Sequence, residues 1–416
     1  MTASPAHRGR RLLLRSALVL VVLLLVDQLL SRLVLGDGYL RGRRVAPFDP
    51  PLFHPAQFRL LERLEERAGT AEDEPEPFQG ELAFDPDLGW CPRPGAGAGG
   101  DRYDWAGARL AGAPLELRRP PGVRRVVAVG GSFTHGDEVP PEASWPALLA
   151  AGSDSLEVAN LGVGGFGSDQ ALLRYRRDGR RLEPDELWLG LVPAVALRNL
   201  TLYWPALGHW KHSVAFKPRF ALDGEGGLVH VPNPAATLAE ACSLVRDQRA
   251  FLAAVGEHDA WVRRAPLAYA PAGSHWTHSS AAARLYLTAR EAGGRRAEEQ
   301  LADPESELFQ VLRGLALAFE REAAISGARF RLLVLPDRSD LAARAPDGTA
   351  AWTPLAEELR GLGLVVHDLS EALLAAGALD EPGPWAPGGH YLEPLNGAVA
   401  EALRPFAEGA EGERDR

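Results

Sequence analysis

One short stretch limits the possible folds of this chain more than any other: residues 124–137, which read RRVVAVGGSFTHGD. The apolar run 126–130 has the length and character of a strand buried in a parallel sheet. The Gly-Gly-Ser turn that follows presents the hydroxyl of Ser132 at the carboxyl end of that strand, where open parallel sheets bind their ligands. A strand followed by a Gly/Ser turn is common in itself, so its interpretation depends on the motifs downstream.

Strands and helices alternate along the rest of the chain, which indicates an α/β fold with a parallel sheet covered on both faces. Further strands are predicted over 156–159, 187–192, 330–335 and 364–367, and helices over 144–151, from 170, over 305–325 and over 394–406. The connection between the third and fourth strands is far longer than a crossover needs, so an insertion at about 200–325 must carry its own structure. Within it the pattern predicts a hairpin, 220–222 with 228–231, and a helix over 237–262.

The N-terminal region predicts a membrane anchor. Four arginines between residues 8 and 15 precede an uncharged segment of eleven residues, 16–26, and the apolar character resumes after Asp27. Eleven residues are short for a membrane span, but no small-residue cleavage site follows them. We therefore expect 12–31 to remain as an uncleaved anchor from which Asp27 reaches outward, the alternative being a soluble amphipathic helix. Tighter clustering of arginine before the apolar core favours a cytoplasmic N-terminus.

Three blocks together resemble the SGNH hydrolase superfamily, also called GDSL esterases. They are the Ser132 turn, the glycine-rich loop 160–167 (NLGVGGFG) and Gly-His-Tyr at 389–391. The resemblance implies a flavodoxin-like strand order, 2-1-3-4-5, with Ser132 as nucleophile, Gly165 as an oxyanion-binding glycine and His390 as base. A segment at 85–90 (DPDLGW) resembles one that often precedes the first block in membrane-anchored bacterial members.

Two parts of the family pattern are missing. Members usually show Gly-x-Asn-Asp after the third strand, where this chain has apolar residues around Val195; Asn199 follows within a turn and supplies a donor only if the loop is rearranged. The acid that orients the base is absent as well, since Pro387 stands three residues before His390. We expect a backbone carbonyl of the loop 382–389, or else the carboxylate of Asp380, to accept a hydrogen bond from the imidazole.

Other functional classes find little support. The 416 residues of the chain leave room for a full core. Its net charge of −10 argues against a nucleic-acid surface. Cys91 and Cys242 lack metal-ligand spacing, and we expect neither a metal nor a cofactor. His135, close to Ser132, is expected on the rim or as a helix cap. Tryptophans could form a sugar-stacking platform, although most tryptophans in a chain of this size serve packing; the four considered are Trp204, Trp210, Trp276 and Trp385.

The predicted organisation is an N-terminus and transmembrane anchor, 1–36; a Pro/Gly-rich spacer, 37–120, with one short helix and an acidic run at 72–76; the α/β domain, 121–407; and a disordered tail, 408–416. The predicted function is that of an extracytoplasmic ester hydrolase with a Ser132–His390 dyad. An O-acyl group on a small molecule or a cell-envelope polysaccharide is the expected substrate. The two gaps leave a non-catalytic glycan-binding or envelope-assembly protein as an alternative, and an O-acyltransferase would use the same residues.

Overall fold

The computed structural model describes residues 5–67, 81–98, 101–207, 213–293 and 296–409. The predicted acidic run, Trp210 and all but the first two residues of the predicted tail lie outside these ranges.

A five-stranded parallel sheet forms the centre of the α/β domain. Its strands are β1 (Arg124–Gly130), β2 (Leu156–Asn160), β3 (Glu186–Leu191), β4 (Arg329–Val334) and β5 (Val366–Asp368). They lie in the order β5-β4-β3-β1-β2, which confirms the flavodoxin-like order. Val126 of β1 pairs with Val158 on one side and Glu186 on the other, and Gly130 pairs with Gly190. The carboxyl ends of β1, β2 and β3 therefore meet at one edge.

The apolar run of β1 is explained by burial on both faces of the sheet. Val127 and Val129 belong to one core and Val126 and Ala128 to the other, and all four are 0% exposed. A strand that is covered on both faces must be apolar at every position, whereas a half-exposed strand would alternate. Continuous hydrophobicity in the sequence thus correctly predicted a buried strand.

Helices cover both faces and fill the insertion. They are α1 (Pro5–Val34), α2 (Pro55–Arg67), α3 (Ser132–His135), α4 (Trp145–Ala150), α5 (Ser168–Arg174), α6 (Leu238–Leu244), α7 (Gln248–Val255), α8 (Ala260–Arg264), α9 (Pro266–Tyr269), α10 (Ala281–Gly293), α11 (Ala297–Ala302), α12 (Glu307–Ser326), α13 (Arg338–Ala342), α14 (Thr353–Gly361), α15 (Ser370–Ala375) and α16 (Glu393–Ala407). The core beneath α4 and α16 contains Trp145, Leu149 and Leu403, and that beneath α5 and α12 contains Leu172 and Leu312.

The insertion agrees only partly with its prediction. The hairpin is confirmed, with strands Arg219–Leu222 and Leu228–Val231. The single helix predicted over 237–262 is wrong, because the chain forms the three short helices α6, α7 and α8 instead. Asp247 and Asp259 cause the breaks: each carboxylate accepts hydrogen bonds from two amides of the helix that follows it, and N-capping aspartates favour a new start over a continued helix.

The predicted spacer packs on the domain over much of its described length. The side chains of Phe48, Leu52 and Leu60 are at most 4% exposed and belong to the same core as β1. Gln57 of α2 donates a hydrogen bond to Ser213 O at 2.8 Å. This segment is rich in proline and glycine yet carries enough regularly spaced apolar residues to be buried.

The N-terminal helix α1 contains a stretch, Leu13–Val34, that is long and apolar enough to cross a membrane, and most of its side chains are exposed. Asp27 does not simply reach outward from this helix. Its carboxylate accepts a hydrogen bond of 2.8 Å from Ala282 N at the start of α10. The end of the apolar helix is therefore attached to the insertion.

Candidate active site

Ser132 lies two residues after the end of the central strand β1, at the first position of the short helix α3. A Cβ atom at Gly130, where φ is 153°, would lie only 2.8 Å from Gly190 O, so the chain can turn this close to β3 only with glycine. The extended Gly131 caps α3, and the first amides of a helix have no intrahelical partner. The sequence therefore predicted the position of Ser132 correctly: it stands at the carboxyl edge of the sheet and is 5% exposed.

The loop after β2 carries Gly165, with φ of 84°. Two buried indoles hold this loop: Trp90 Nε1 donates to Gly164 O and Trp204 Nε1 donates to Gly165 O, each at 2.9 Å. Because a trans peptide directs its N–H opposite to its carbonyl, the bond from Trp90 fixes the direction of the Gly165 amide. A fixed amide is what an oxyanion donor requires.

The three described tryptophans that were considered for a sugar-stacking platform differ in exposure and in their partners. Trp204 is 1% exposed and serves the Gly165 loop, while Trp385 is half-buried and donates to Ala378 O. Trp276 is exposed. The contact of Trp90 with the glycine loop was not predicted from the sequence. The only indication was that the segment 85–90, which Trp90 ends, resembles one found in membrane-anchored family members.

His390 is oriented by Glu138, a residue that the sequence analysis did not identify. His390 Nδ1 lies 2.6 Å from Glu138 Oε2, and Gly388 N donates to Glu138 Oε1 at 2.8 Å. Both oxygens of the carboxylate thus hold the histidine loop. The expectation that a carbonyl of the loop 382–389 or Asp380 would orient the ring is wrong. The carboxylate of Glu138, which comes from the beginning of the domain's sequence, occupies that place.

Electrostatics keep Glu138 ionised in this pair. Burial alone raises the pKa of the Glu138 carboxyl, but the hydrogen bonds from His390 and from Gly388 N outweigh burial and hold this pKa below its ordinary value. The side chains of Glu138 and His390 are 31% and 21% exposed, so solvent still screens the pair. A carboxylate on Nδ1 selects the tautomer in which Nε2 accepts a proton.

The structure places His390 against α3. Its ring lies 5.1 Å, centroid to centroid, from the ring of Phe133, the residue after Ser132. Within the described part of the chain, no hydrogen bond joins Ser132 Oγ to the His390 ring. Ser132 and His390 therefore lie on adjacent elements without a direct hydrogen bond, and hydrogen bonds of this kind are often loose in uncomplexed sites.

His135 forms a second histidine–carboxylate pair with a different role. Its Nδ1 lies 2.6 Å from Asp137 Oδ1 and its Nε2 lies 2.9 Å from Tyr103 Oη. Both ring nitrogens are engaged, and the residue is 7% exposed rather than on the rim. Asn160 Nδ2 donates to His135 O at 3.0 Å. These bonds fix the end of α3 and leave His135 without the geometry of a catalytic base.

The third block is apolar as the sequence indicated. Val195 lines a small cavity beside Ser132. Asn199, the possible substitute donor, is 1% exposed and already committed: its Oδ1 accepts from Asp169 N at 3.1 Å and its Nδ2 donates to Ala196 O at 2.8 Å. Its Oδ1 therefore holds the start of α5, and one N–H of its Nδ2 is used inside the 3₁₀ helix that contains it.

The cavity beside Ser132 measures about 20 Å³ and is lined by Gly131, Phe166, Gly167, Val195 and Arg198 among others. Its volume suits one water-sized group. Among the described residues, no group of three histidine, cysteine or carboxylate side chains could hold a metal ion.

Comparison with known proteins gives distant structural likenesses only. No family model matches the chain, and no curated protein matches its sequence. A lipolytic protein of the G-D-S-L family from Desulfitobacterium hafniense is 14% identical, with a TM-score of 0.31 over 67% of this chain and 97% of that one. The protein TesA is 13% identical, with a TM-score of 0.35 over 69% and 99% of the two chains.

An acetylxylan esterase from Geobacillus stearothermophilus, solved as a catalytic mutant, is 13% identical, with a TM-score of 0.34 over 70% and 97% of the two chains. Likenesses at this level carry no inference about activity. What the chain itself supplies is a parallel sheet in the order 2-1-3-4-5, a serine after its central strand, a glycine loop after the next and a histidine before its last helix. By these features the chain has the flavodoxin-like α/β arrangement that its resemblance to the SGNH hydrolases implied.

Proposed function

We propose that this protein is an ester hydrolase that uses Ser132 as nucleophile, His390 as base and Glu138 as the orienting acid. The observation that carries the proposal is the bidentate position of Glu138, which binds His390 Nδ1 and Gly388 N beside the helix that begins at Ser132. The amides of Ser132 and Gly165 are the proposed oxyanion donors. A hydroxyl, a base with a defined tautomer and fixed donors are the minimum set for acyl transfer from an ester.

The proposed substrate is an O-acyl ester on a small molecule or a polysaccharide outside the cytoplasm. The apolar helix α1 is the proposed membrane anchor, with the α/β domain on the extracytoplasmic side. Protease accessibility of the domain in spheroplasts, together with an intact N-terminus, would support this topology.

A fluorophosphonate probe tests the chemistry directly, because it labels only a serine that has been activated. The full-length protein in detergent should be labelled, Ser132→Ala should not, and hydrolysis of 4-nitrophenyl acetate should disappear with the labelling. Ser370→Ala is a matched control, since Ser370 is another buried serine at the start of a helix that follows a sheet strand, and it does not line the cavity beside Ser132. Labelling that persists in Ser132→Ala would refute the assignment of the nucleophile.

A non-catalytic protein of the same fold is the second candidate. It is favoured by Val195 in the third block and by the missing hydrogen bond between Ser132 and His390 in the described structure. This candidate predicts no labelling of the wild-type protein and binding of an acylated glycan that Ser132→Ala leaves unchanged. Release of acetate in water, compared with its transfer to an added sugar, separates a hydrolase from an O-acyltransferase.

A further inference from the structure

Arg198 is a buried cation whose charge is not matched by a contacting carboxylate. It lies in the 3₁₀ helix Pro193–Leu200 and is 9% exposed. Its guanidinium stacks over the ring of Trp204 at 5.6 Å, and its Nη1 makes one long contact, 3.5 Å to Phe166 O. Its Nε has no hydrogen-bond partner, and no ion pair to Arg198 occurs among the described residues. A buried group of this kind calls for an explanation.

The guanidinium lies close to the residues that adjoin both proposed oxyanion donors. A Cβ atom built on Gly131, the residue before Ser132, would lie 3.5 Å from Arg198 Nη1. The other neighbour of Nη1, Phe166, is the residue after Gly165. Arg198 and Ser132 line the same cavity of about 20 Å³. That volume is enough for one water-sized group, such as the carbonyl oxygen of an ester.

The position is costly for the fold. Burial lowers the pKa of Arg198 to about 10, and the charge of Asp137 offsets only part of this effect. The side chain is nevertheless protonated at neutral pH, so a positive charge with unused N–H groups faces the serine cavity. An apolar residue would fill the space on Trp204 without this penalty.

We propose that Arg198 is a third oxyanion donor, which supplies from the end of the 3₁₀ helix the hydrogen bond that the apolar third block lacks. The inference rests on the proposed esterase function. When Ser132 Oγ attacks the ester carbonyl carbon, its proton passes to His390 Nε2 and the π electrons of the C=O bond move to the oxygen. The resulting oxyanion accepts hydrogen bonds from the Ser132 and Gly165 amides and from Arg198.

The intermediate then collapses. The C=O bond re-forms, the bond to the leaving alcohol breaks, and the alcohol oxygen takes the proton from His390 Nε2. Water repeats the sequence on the acyl-enzyme, releases the carboxylic acid and restores Ser132. Arg198 keeps its protons throughout, so it acts as a donor and not as a proton shuttle.

Kinetics of Arg198→Met, Arg198→Lys and Arg198→Ala in the full-length protein test the proposal, with 4-nitrophenyl acetate as substrate. In Arg198→Met we expect kcat to fall by roughly 10²- to 10³-fold with KM little changed, since a donor aimed at the oxyanion acts in the transition state. Arg198→Lys should retain part of the rate. Millimolar guanidinium should restore part of the rate in Arg198→Ala but not in Arg198→Met, where the thioether fills the space.

The control is Arg181→Met, because Arg181 also stacks on an indole, that of Trp105 at 5.4 Å, but is exposed and does not line the cavity. Arg181→Met should keep the wild-type rate. Thermal unfolding checks folding: Arg198→Met should be at least as stable as the wild type because an unmatched buried charge has been removed.

A folded Arg198→Met with wild-type kcat, or with a raised KM alone, would overturn the proposal and make Arg198 a structural or ground-state binding group. Failure of the proposed function is seen separately, because the wild-type protein itself would then not react with the fluorophosphonate.

Discussion

Glu138→Gln provides the sharpest test of the orienting acid. The change keeps the size of the side chain but removes the negative charge beside His390 Nδ1. Charge-assisted hydrogen bonds contribute about 1.5–3 kcal/mol, and each 1.36 kcal/mol on a barrier is a factor of ten in rate. We therefore expect kcat to fall by roughly 10- to 150-fold. A larger loss, ~10⁴-fold, is known where the acid of a triad is fully buried, but this pair is partly exposed.

The amide of glutamine can also hold the imidazole of His390 in the wrong tautomer. If its NH₂ group faces Nδ1, it selects the imidazole with the proton on Nε2, which cannot accept the proton of Ser132. Glu138→Gly separates this chemical effect from the backbone. Glu138 has φ of 66°, so glycine relieves a left-handed residue by about 1 kcal/mol, which offsets part of the stability lost with the carboxylate while the rate still falls.

The assay is steady-state hydrolysis of 4-nitrophenyl acetate from pH 4 to 8, with melting temperatures for each variant. Glu183→Gln is the control, because Glu183 is another left-handed glutamate, with φ of 50°, at the opposite end of the sheet. Since the pKa of Glu138 is depressed in the folded state, its stabilising contribution is present above the ordinary glutamate pKa and disappears as the pH falls through the folded value. A Glu138→Gln rate within about threefold of the wild type would refute the role.

Three further outcomes are expected. Pro387→Asp should not raise the rate of ester hydrolysis, because Glu138 already occupies the partner position on the imidazole. Lys217→Met should lower the free energy of unfolding, measured in urea, by about 3–5 kcal/mol, because the fully buried Asp169 loses the ammonium group 2.5 Å away. The double variant Lys217→Met/Asp169→Asn should recover part of this loss. Burial, together with the charge of the neighbouring Asp337, raises the pKa of Asp340 to about 7. The wild type should therefore lose stability as the pH rises from about 4 to about 7, and Asp340→Asn should remove that dependence.

The features that were predicted correctly depend on neighbours in the sequence. The run Val126–Val129 and the Gly-Gly-Ser turn predicted a buried strand and the place of Ser132, because burial on two faces and a tight turn each need particular residues at adjacent positions. The helix 305–325, found at Glu307–Ser326, followed from its apolar face. The prediction failed at 237–262, where aspartates that cap new helices outweigh an apolar pattern that continues past them.

The sequence by itself determined the α/β architecture, the edge of the sheet at which Ser132 stands and the candidate residues Gly165 and His390. Only the tertiary structure decided what orients and completes the site. Glu138 lies 252 residues from His390 in the sequence, and Trp90 lies 74 residues from Gly164. Each of these partners contributes one side chain, and its position relative to the site depends on the order of the strands in the sheet. That order cannot be deduced from the local periodicity of the sequence. The same reason hides Arg198, because in the sequence it is one arginine among many, and only folding removes it from water and from matching carboxylates.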